Sequence, residues 1–259
     1  MADKQSNGRK PDSSKISGWS FWAAVVTGVA LVVAAMSGFG SKWDLWSFGF
    51  GFQLLRWGVY LALLGILFSA IGIVRTQPST HRQGLVLSVI SLVVAILVAG
   101  VPLSYYNTAK RVPPIHDITT DTDNPPQFQA LRPIRRQAPN GSEYGGAKVA
   151  NLQKQAYPDI GTFHAAVPPD SLFRTALQNA KNMGWQIILA ETDSGRIEAT
   201  DETFWYGFKD DIILRIQPAA QGSKLDIRSV SRVGRSDVGK NARRIRAYLK
   251  RLKTALAQT

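Results

Sequence analysis

Three long stretches without a charged side chain constrain this sequence more than any other feature. They run from about Trp19 to Gly40, from Trp57 to Val74 and from Gly84 to about Tyr105. A helix that crosses a bilayer needs about 20 apolar residues, because it must satisfy its backbone internally across ~30 Å of hydrocarbon. The sequence therefore predicts a transmembrane region, residues 19–105, with helices at about 19–40, 57–74 and 84–105. A basic N-terminal tail, residues 1–18, precedes it.

The first stretch has a second interpretation, as a cleaved signal peptide. Its basic leader fits that interpretation. Its apolar run is longer than the usual ~7–15 residues, however, and no Ala-x-Ala cleavage site follows it. We therefore favour a membrane span.

Residue types inside the three stretches bear on packing and on transport. Small residues four apart predict close approach of the helices. These pairs are Ala24/Gly28, Gly58/Ala62 and Gly65/Ser69. Because no Asp, Glu, Lys, Arg or His lies within any stretch, we do not expect these helices alone to transport ions or protons.

Aromatic residues dominate the connection between the first two stretches. They are Trp43, Trp46, Phe48, Phe50 and Phe52. Aromatic rings favour the headgroup zone of a bilayer, so this segment is predicted to lie along the membrane interface. An aromatic ligand-binding box is the functional alternative.

Charge is concentrated in the second part of the chain. Residues 1–104 hold eight of the 31 basic and three of the 18 acidic side chains. The sequence after residue 104 therefore predicts a separate, water-soluble domain. The net charge of +13 favours anionic partners. With a membrane anchor we expect the lipid bilayer and its anionic headgroups, or an envelope protein, and no nucleic acid.

The count of basic residues beside the spans predicts the orientation in the membrane. With a cytoplasmic N-terminus, the inner set is Lys4, Arg9, Lys10, Lys15, Arg75 and Arg82, and the outer set is Lys42, Arg56, Lys110 and Arg111. The larger inner set predicts a multi-pass protein of the bacterial inner (plasma) membrane. Three crossings then place the C-terminal domain in the periplasm.

Two segments follow the spans. Residues 106–160 are rich in proline and turn residues, which predicts an extended linker. Residues 161–259 show strand and helix periodicities in the order β-α-β-β-β-β-α, with helices after Pro168 and from Asp237 to Ala257. We predict a membrane-anchored α+β protein, in which this soluble α+β domain has an antiparallel sheet with two helices on one face.

Several motifs resemble those of a known family. They are Gly184-Trp185, Gly195–Thr200, Trp205–Asp211, Asp226–Ala242 and His116–Asp121. The bacterial and plastid domain-of-unknown-function family numbered 1499 has similar motifs, and the similarity covers about residues 111–257. The resemblance implies a membrane or envelope setting and implies no activity.

The run from Arg228 to Asp237 is the first candidate site. Strand alternation puts Arg228 and Arg232 on one face with Val230. A helix N-terminus flanked by arginines can hold an anionic group. The candidate anion-binding residues are Arg228, Arg232, Arg235, Ser236 and Asn241. In the alternative interpretation Ser236 or Asp237 caps the helix, while the arginines pair with Asp210, Asp211 and Asp226.

The last helix is the second candidate site, because it is strongly basic and has an apolar stripe. A basic helix near a bilayer attracts anionic lipid at ~1 kcal/mol per charge. The candidate membrane-surface residues are Lys240, Arg243, Arg244, Lys250 and Arg251. A solvated helix face is the structural alternative.

The remaining polar clusters do not predict a cofactor or a metal site. The chain has no cysteine and three histidines. His116 and the nearby aspartates lack the spacing of a calcium-binding loop, which favours local turn bonding. We therefore predict a non-enzymatic envelope protein that binds lipid headgroups or a protein partner. The alternatives are a hydrolase or transferase acting through Asp210, Asp226, Arg228 and Ser231, and a subunit of a larger membrane complex. The sequence does not set an oligomeric state.

Overall fold

A computed structural model describes residues 16–76 and 83–258 of the chain. The chain forms two compact units, Met1–Ser104 and Tyr105–Thr259, and each is described by itself. Most of the predicted basic tail and five side chains of the inner set lie outside the described residues. These five are Lys4, Arg9, Lys10, Lys15 and Arg82.

Three long apolar helices confirm the predicted membrane-spanning character of the first part. Helix α1 covers Gly18–Lys42, α2 covers Phe48–Arg75 and α3 covers Leu85–Ala109. Each is long and apolar enough to cross a membrane. Their length follows from the sequence, since nothing between the ends breaks the helical backbone except Pro102, which α3 accommodates.

Helix α2 begins earlier than the sequence predicted. The Ser47 hydroxyl accepts a hydrogen bond from the Phe50 amide at 3.4 Å, and this N-cap starts the helix at Phe48. Phe48, Phe50 and Phe52 therefore lie in its first turns rather than in the connection between α1 and α2. The prediction began the helix after Arg56, although a charged residue near a helix end is compatible with helical backbone.

Small residues line the contact between α1 and α2. Gly58 and Gly65 are buried, and a methyl group on Gly58 would lie 3.2 Å from the Ala34 amide nitrogen. Such spacing lets two backbones approach closely. The predicted Gly58/Ala62 and Gly65/Ser69 pairs are buried. Gly28 instead faces outward, and α1 contributes its buried Ala23, Thr27, Ala30 and Ala34.

Substitution of Gly58 tests this packing. Gly58→Val should lower the melting temperature of the detergent-solubilised chain, because overpacking costs about 1–3 kcal/mol. Gly28→Val is the matched control, since a methyl group there meets nothing within 4 Å. Circular dichroism melts of both variants give the comparison, and equal melting temperatures would contradict the packing described.

The second unit is built on a six-stranded antiparallel sheet. Its strands are β1 Asp117–Thr119, β2 Phe163–Ala165, β3 Gln186–Glu191, β4 Arg196–Glu202, β5 Lys209–Ala219 and β6 Gly222–Ser231. The strand order is β1-β6-β5-β4-β3, and β2 pairs with a separate part of β6. Its helices are α4 Arg132–Gln137, α5 Gly146–Ala156, α6 Pro169–Asn182 and α7 Lys240–Leu256. The predicted membrane-anchored α+β class is therefore confirmed.

Helices α6 and α7 cover the first face of the sheet. Alternate residues of β6, including Leu225 and Ile227, join the apolar core with side chains of both helices. Tyr248 of α7 is fully buried, stacks on Trp185 at 5.0 Å and donates to the Ala176 carbonyl at 2.9 Å. This core fixes the two helices on the face that the sequence assigned to them.

The segment predicted as an extended linker is part of the folded domain. Within residues 106–160 the structure has β1, α4 and α5, and β1 pairs with β6. The prolines of this segment were interpreted as a sign of extended backbone. Proline is also tolerated in the first turn of a helix, however, and Pro133 lies in the first turn of α4. Strand β1 is only three residues long and leaves almost no periodicity to read.

Candidate functional site

A buried carboxylate lies on the second face of the sheet, opposite α6 and α7. Asp211 of β5 is 0% exposed and bridges two guanidinium groups. Arg135 of α4 donates to it at 2.8 Å, and Arg232 donates through two nitrogens at 2.8 and 2.9 Å. The Thr200 hydroxyl adds a bond at 2.8 Å. The carboxylate is therefore saturated with donors.

Arg135 is itself fully buried and needs partners for all of its N–H groups. Besides Asp211, it donates to the carbonyls of Val230, Asn140 and Gly141. Burial lowers the pKa of Arg135 from its ordinary value, and the charge of Asp211 opposes that shift. Because arginine is not deprotonated in proteins, this remains an ion pair in the interior.

A second buried ion pair lies on the same face of the sheet and involves the neighbouring strand. Its arginine, Arg228, is the register partner of Ile213, two residues from Asp211 along β5. Arg228 of β6 donates to both carboxylate oxygens of Asp117 at 3.0 and 2.8 Å, which is the bidentate geometry of a strong pair. It also donates to the carbonyls of Pro126 and Ser142. The Phe128 ring lies 5.5 Å from the Arg228 guanidinium and 5.1 Å from that of Arg135. All donors of Arg228 are directed inward.

Two further carboxylates of the sheet accept hydrogen bonds from the segment between β1 and α5. Glu198 of β4 accepts from the backbone amides of Gln129 and Leu131 at 2.6 and 2.8 Å. Asp226 of β6 accepts from Thr120, Thr162 and Arg215 at 3.1, 2.6 and 2.9 Å. Residues 117–145, which we call the covering segment, are thus held by charge-assisted hydrogen bonds.

A third polar cluster lies on the first face, at the start of α7. Asp210 of β5 accepts from Arg244 at 2.5 Å and lies 3.1 Å from the Lys240 ammonium group. Arg244 also contacts Asp201 at 2.5 Å. Burial would raise the pKa of Asp210, but the charges of Arg244 and Lys240, together with hydrogen bonds from Ser231 and Arg244, lower it.

The N-terminus of α7 carries its own anion. One oxygen of Asp237 accepts from the Gly239 amide and the other from the Asn241 amide, both at 2.7 Å. Burial raises the pKa of this carboxyl group, and the two amide bonds oppose the rise. The sequence predicted that an external anion could bind at this helix N-terminus. In the structure the Gly239 and Asn241 amides bind the Asp237 carboxylate instead.

The five candidate anion-binding residues do not come together. Arg228 and Arg232 lie on the second face, paired with carboxylates. Asn241 lies on the first face, where its amide group contacts Ser229, Ser231 and the His116 carbonyl. Ser236 forms a local turn with the Val238 amide, and Arg235 is exposed in the same turn. The sheet separates the two groups.

The four residues of the catalytic alternative are also separated. Asp210 and Ser231 face α7, whereas Asp226 and Arg228 face the covering segment. Asp210 and Ser231 are register partners on β5 and β6 and hydrogen-bond each other, and the sheet separates this pair from Asp226 and Arg228. These four side chains therefore form no common pocket.

Local turn bonding explains only part of the His116–Asp123 cluster, because Asp117 pairs with Arg228 and the second Asp121 oxygen accepts from Arg215. One Asp121 oxygen accepts from the amides of Asp123 and Asn124 at 3.2 and 2.8 Å. Within residues 16–76 and 83–258, no three His, Cys, Asp or Glu side chains are close enough to hold a metal ion.

The outer face of α7 is an exposed basic surface, on which Arg246 pairs with Asp159. Of the five candidate membrane-surface residues, Arg243, Lys250 and Arg251 are exposed, and Lys253 extends the row. Lys240 and Arg244 instead point to Asp210. No acidic residue occurs in α7. We call Arg243, Lys250, Arg251 and Lys253 the α7 basic row.

Sequence reasoning missed three members of the buried clusters. Arg135 and Asp117 lie in the presumed linker, and the role of Glu198 depends on backbone amides from that linker. The motifs at residues 116–121, 195–200, 205–211 and 226–242 supply most of the buried charged groups. The presence of so many charged residues within predicted strands was the sequence signal that could have revealed the buried pairs, because charged residues within apolar strands require internal partners.

The fold and these clusters define a class: an α+β domain joined to three apolar helices, with its sheet covered on both faces and its buried charges paired internally. The chain belongs to the family described as "Protein of unknown function (DUF1499)", whose model matches residues 117–252. The match begins at β1, so it includes the covering segment. It confirms the resemblance seen in the motifs. Comparison with curated proteins found no match.

Removal of one partner of the Arg228–Asp117 pair should strongly lower the free energy of unfolding of the domain. We expect Arg228→Met to cost about 3–5 kcal/mol of unfolding free energy, because it leaves a buried carboxylate without its cation. Exposed Arg235 provides the control, and Arg235→Met should change stability by less than about 0.5 kcal/mol. Urea unfolding of the second unit, followed by tryptophan fluorescence, measures both.

The double variant Asp117→Leu/Arg228→Met sharpens this test. It should be more stable than Arg228→Met alone, since it removes both charges. If Arg228→Met alone is as stable as the wild type, the pair is not buried as described.

The lowered pKa of Asp210 predicts a specific acid dependence. Its carboxylate stabilises the fold above the unfolded-state pKa of about 3.9, and this contribution is lost as the pH falls through the lower folded-state value. Asp210→Asn should therefore be less stable than the wild type at neutral pH, and the difference should shrink in acid. Unfolding free energies from neutral pH down to about 3 test this. Asp193→Asn, at an exposed turn, should show no such convergence.

Proposed function

We propose that this chain is a multi-pass protein of a bacterial inner membrane whose C-terminal domain binds anionic lipid headgroups through the α7 basic row. The observation that carries this proposal is the exposure of Arg243, Lys250, Arg251 and Lys253 on one helix without an acidic neighbour in that helix. Arg135, Arg228 and Arg244 are instead paired with buried carboxylates inside the domain.

Electrostatics makes a lipid surface a suitable partner for this row. An anionic leaflet attracts each Lys or Arg near it with about 1 kcal/mol, within a Debye length of roughly 8–10 Å. The three apolar helices keep the domain close to a bilayer, which raises its effective concentration there. Four cations on a tethered domain are therefore enough for reversible contact.

A lipid-binding role also agrees with the state of the other polar residues. Asp210, Asp211, Asp226 and Arg228 all form charge-assisted bonds inside the domain. Those side chains stabilise the fold, whereas the α7 basic row is available for a surface contact. A non-enzymatic envelope protein is the function that this division supports best.

Neutralisation of the row tests the proposal. The test uses the second unit after circular dichroism has verified that it unfolds cooperatively. In that unit, Lys250→Gln/Arg251→Gln should weaken binding to vesicles with anionic lipid about 30-fold, from two charges at ~1 kcal/mol each. Arg136→Gln/Lys148→Gln removes the same charge from exposed positions in α4 and α5 and should have a much smaller effect.

Vesicle co-sedimentation at increasing salt completes this test. Binding should fall as salt rises, because the attraction is screened. Equal binding to neutral and anionic vesicles, or binding that salt does not change, would contradict the proposed role and leave a protein partner to be sought.

The sidedness part of the proposal rests on the larger number of basic residues predicted inside. The chain contains no cysteine, so Asp193→Cys supplies a single reactive thiol in an exposed turn. A membrane-impermeant maleimide should label it in cells whose outer membrane has been permeabilised. Labelling only after lysis would place the domain in the cytoplasm.

A further inference from the structure

The loop between β4 and β5, residues 203–208, exposes an aromatic tip. The side chain of Phe204 is 79% exposed, and Trp205 beside it is half-buried. Burial of a phenylalanine side chain is worth about 1.5–3 kcal/mol, so an exposed one at a loop tip represents binding energy that a partner can use. Of the exposed large apolar residues in the second unit, Phe204 is the most exposed.

The base of this loop is well fixed. The Phe208 amide donates to the Thr203 hydroxyl at 2.7 Å, and the Thr203 amide donates to the Phe208 carbonyl at 2.9 Å. Tyr206 is buried, stacks on Phe208 at 5.3 Å and meets Trp205 edge-on at 5.0 Å. The tip therefore presents its apolar surface without first losing much conformational freedom.

Basic residues lie beside the aromatic tip. Lys209 follows the loop directly and is exposed, and its ammonium group lies 3.9 Å from the exposed Glu202 carboxylate. The amide of Arg232 bonds the Lys209 carbonyl at 3.0 Å, which brings the turn after β6 next to the loop. Arg235 is exposed in that turn. An apolar tip flanked by two exposed cations suits a bilayer surface, where aromatic rings favour the headgroup level and cations pair with the phosphates.

The chain enters the domain at this same end. The carbonyls of Pro113, Ile115 and His116 accept hydrogen bonds from Ser236, Asp237 and Asn241 respectively. Helix α3 ends at Ala109, so four residue steps separate its end from the first of these attachment points. Those steps span at most about 14 Å when extended. Chain connectivity therefore keeps this end of the domain near the end of α3.

We propose that loop 203–208 inserts into the interfacial zone of the bilayer that α3 crosses. Phe204 and Trp205 lie among the headgroups, where aromatic rings are favoured, while Lys209 and Arg235 contact lipid phosphates. The inference rests on the proposed function in so far as both bring the domain to a lipid surface. The two contacts differ in physics, because ring insertion is largely insensitive to salt.

A single label on the full-length chain tests the insertion. Glu202→Cys, at the base of the loop, keeps both aromatic residues and is labelled with a polarity-sensitive dye in reconstituted vesicles that contain nitroxide-headgroup lipid. We expect a blue-shifted emission and marked quenching by the nitroxide lipid. Asp193→Cys is the control, because it lies at the other end of β4, about 20 Å away by strand rise. Its label should remain unquenched.

The cause of the quenching is checked with a second variant. Phe204→Ser in the Glu202→Cys background should reduce the quenching, and because Phe204 is largely exposed it should leave the melting temperature unchanged. Quenching at position 202 equal to that at position 193 would overturn the proposal. A label shielded from an aqueous quencher but not reached by lipid nitroxide would also overturn it, in favour of a protein partner.

The result is separable from the test of the α7 basic row. In vesicles of neutral lipid at high salt, quenching at position 202 should persist in the Lys250→Gln/Arg251→Gln background. Persistent quenching without a preference for anionic vesicles would support the loop contact and reject the role of α7. Salt-sensitive binding without quenching would do the reverse.

Discussion

Asp211 lies fully buried between the guanidinium groups of Arg135 and Arg232, and the second unit depends on this arrangement. A carboxylate in the interior is strongly destabilising unless it is paired and hydrogen-bonded. Its neighbours on the same face, Glu198 and Arg228, impose the same requirement. The second face of the sheet must therefore be covered by a segment that offers cations, carbonyls and amides.

The covering segment meets that requirement residue by residue. Arg135 supplies the cation for Asp211, Asp117 supplies the anion for Arg228, and the amides of Gln129 and Leu131 serve Glu198. Because the polar groups of the sheet are used in this way, we place the two proposed lipid contacts elsewhere, on the α7 basic row and the aromatic loop. The proposed functions follow from that division.

Local sequence signals predicted those parts of the structure that local physics determines. Charge-free length gave the three apolar helices, and alternation on β6 placed Arg228, Val230 and Arg232 on one face. The partners of these charges were not predictable in this way. Asp117 is 111 residues from Arg228, and Arg135 is 76 residues from Asp211, so no short-range periodicity connects them. Prolines also concealed that residues 117–145 fold.

Hydrogen exchange on the full-length chain tests most directly whether the covering segment belongs to the cooperative fold. If the amides of Gln129 and Leu131 are held by buried Glu198, they exchange only when the whole domain opens. Their protection should then equal that of the central amides of β5 and β6. Rapid exchange at these two amides, with β5 and β6 still protected, would show that the segment is a surface linker and would contradict this account.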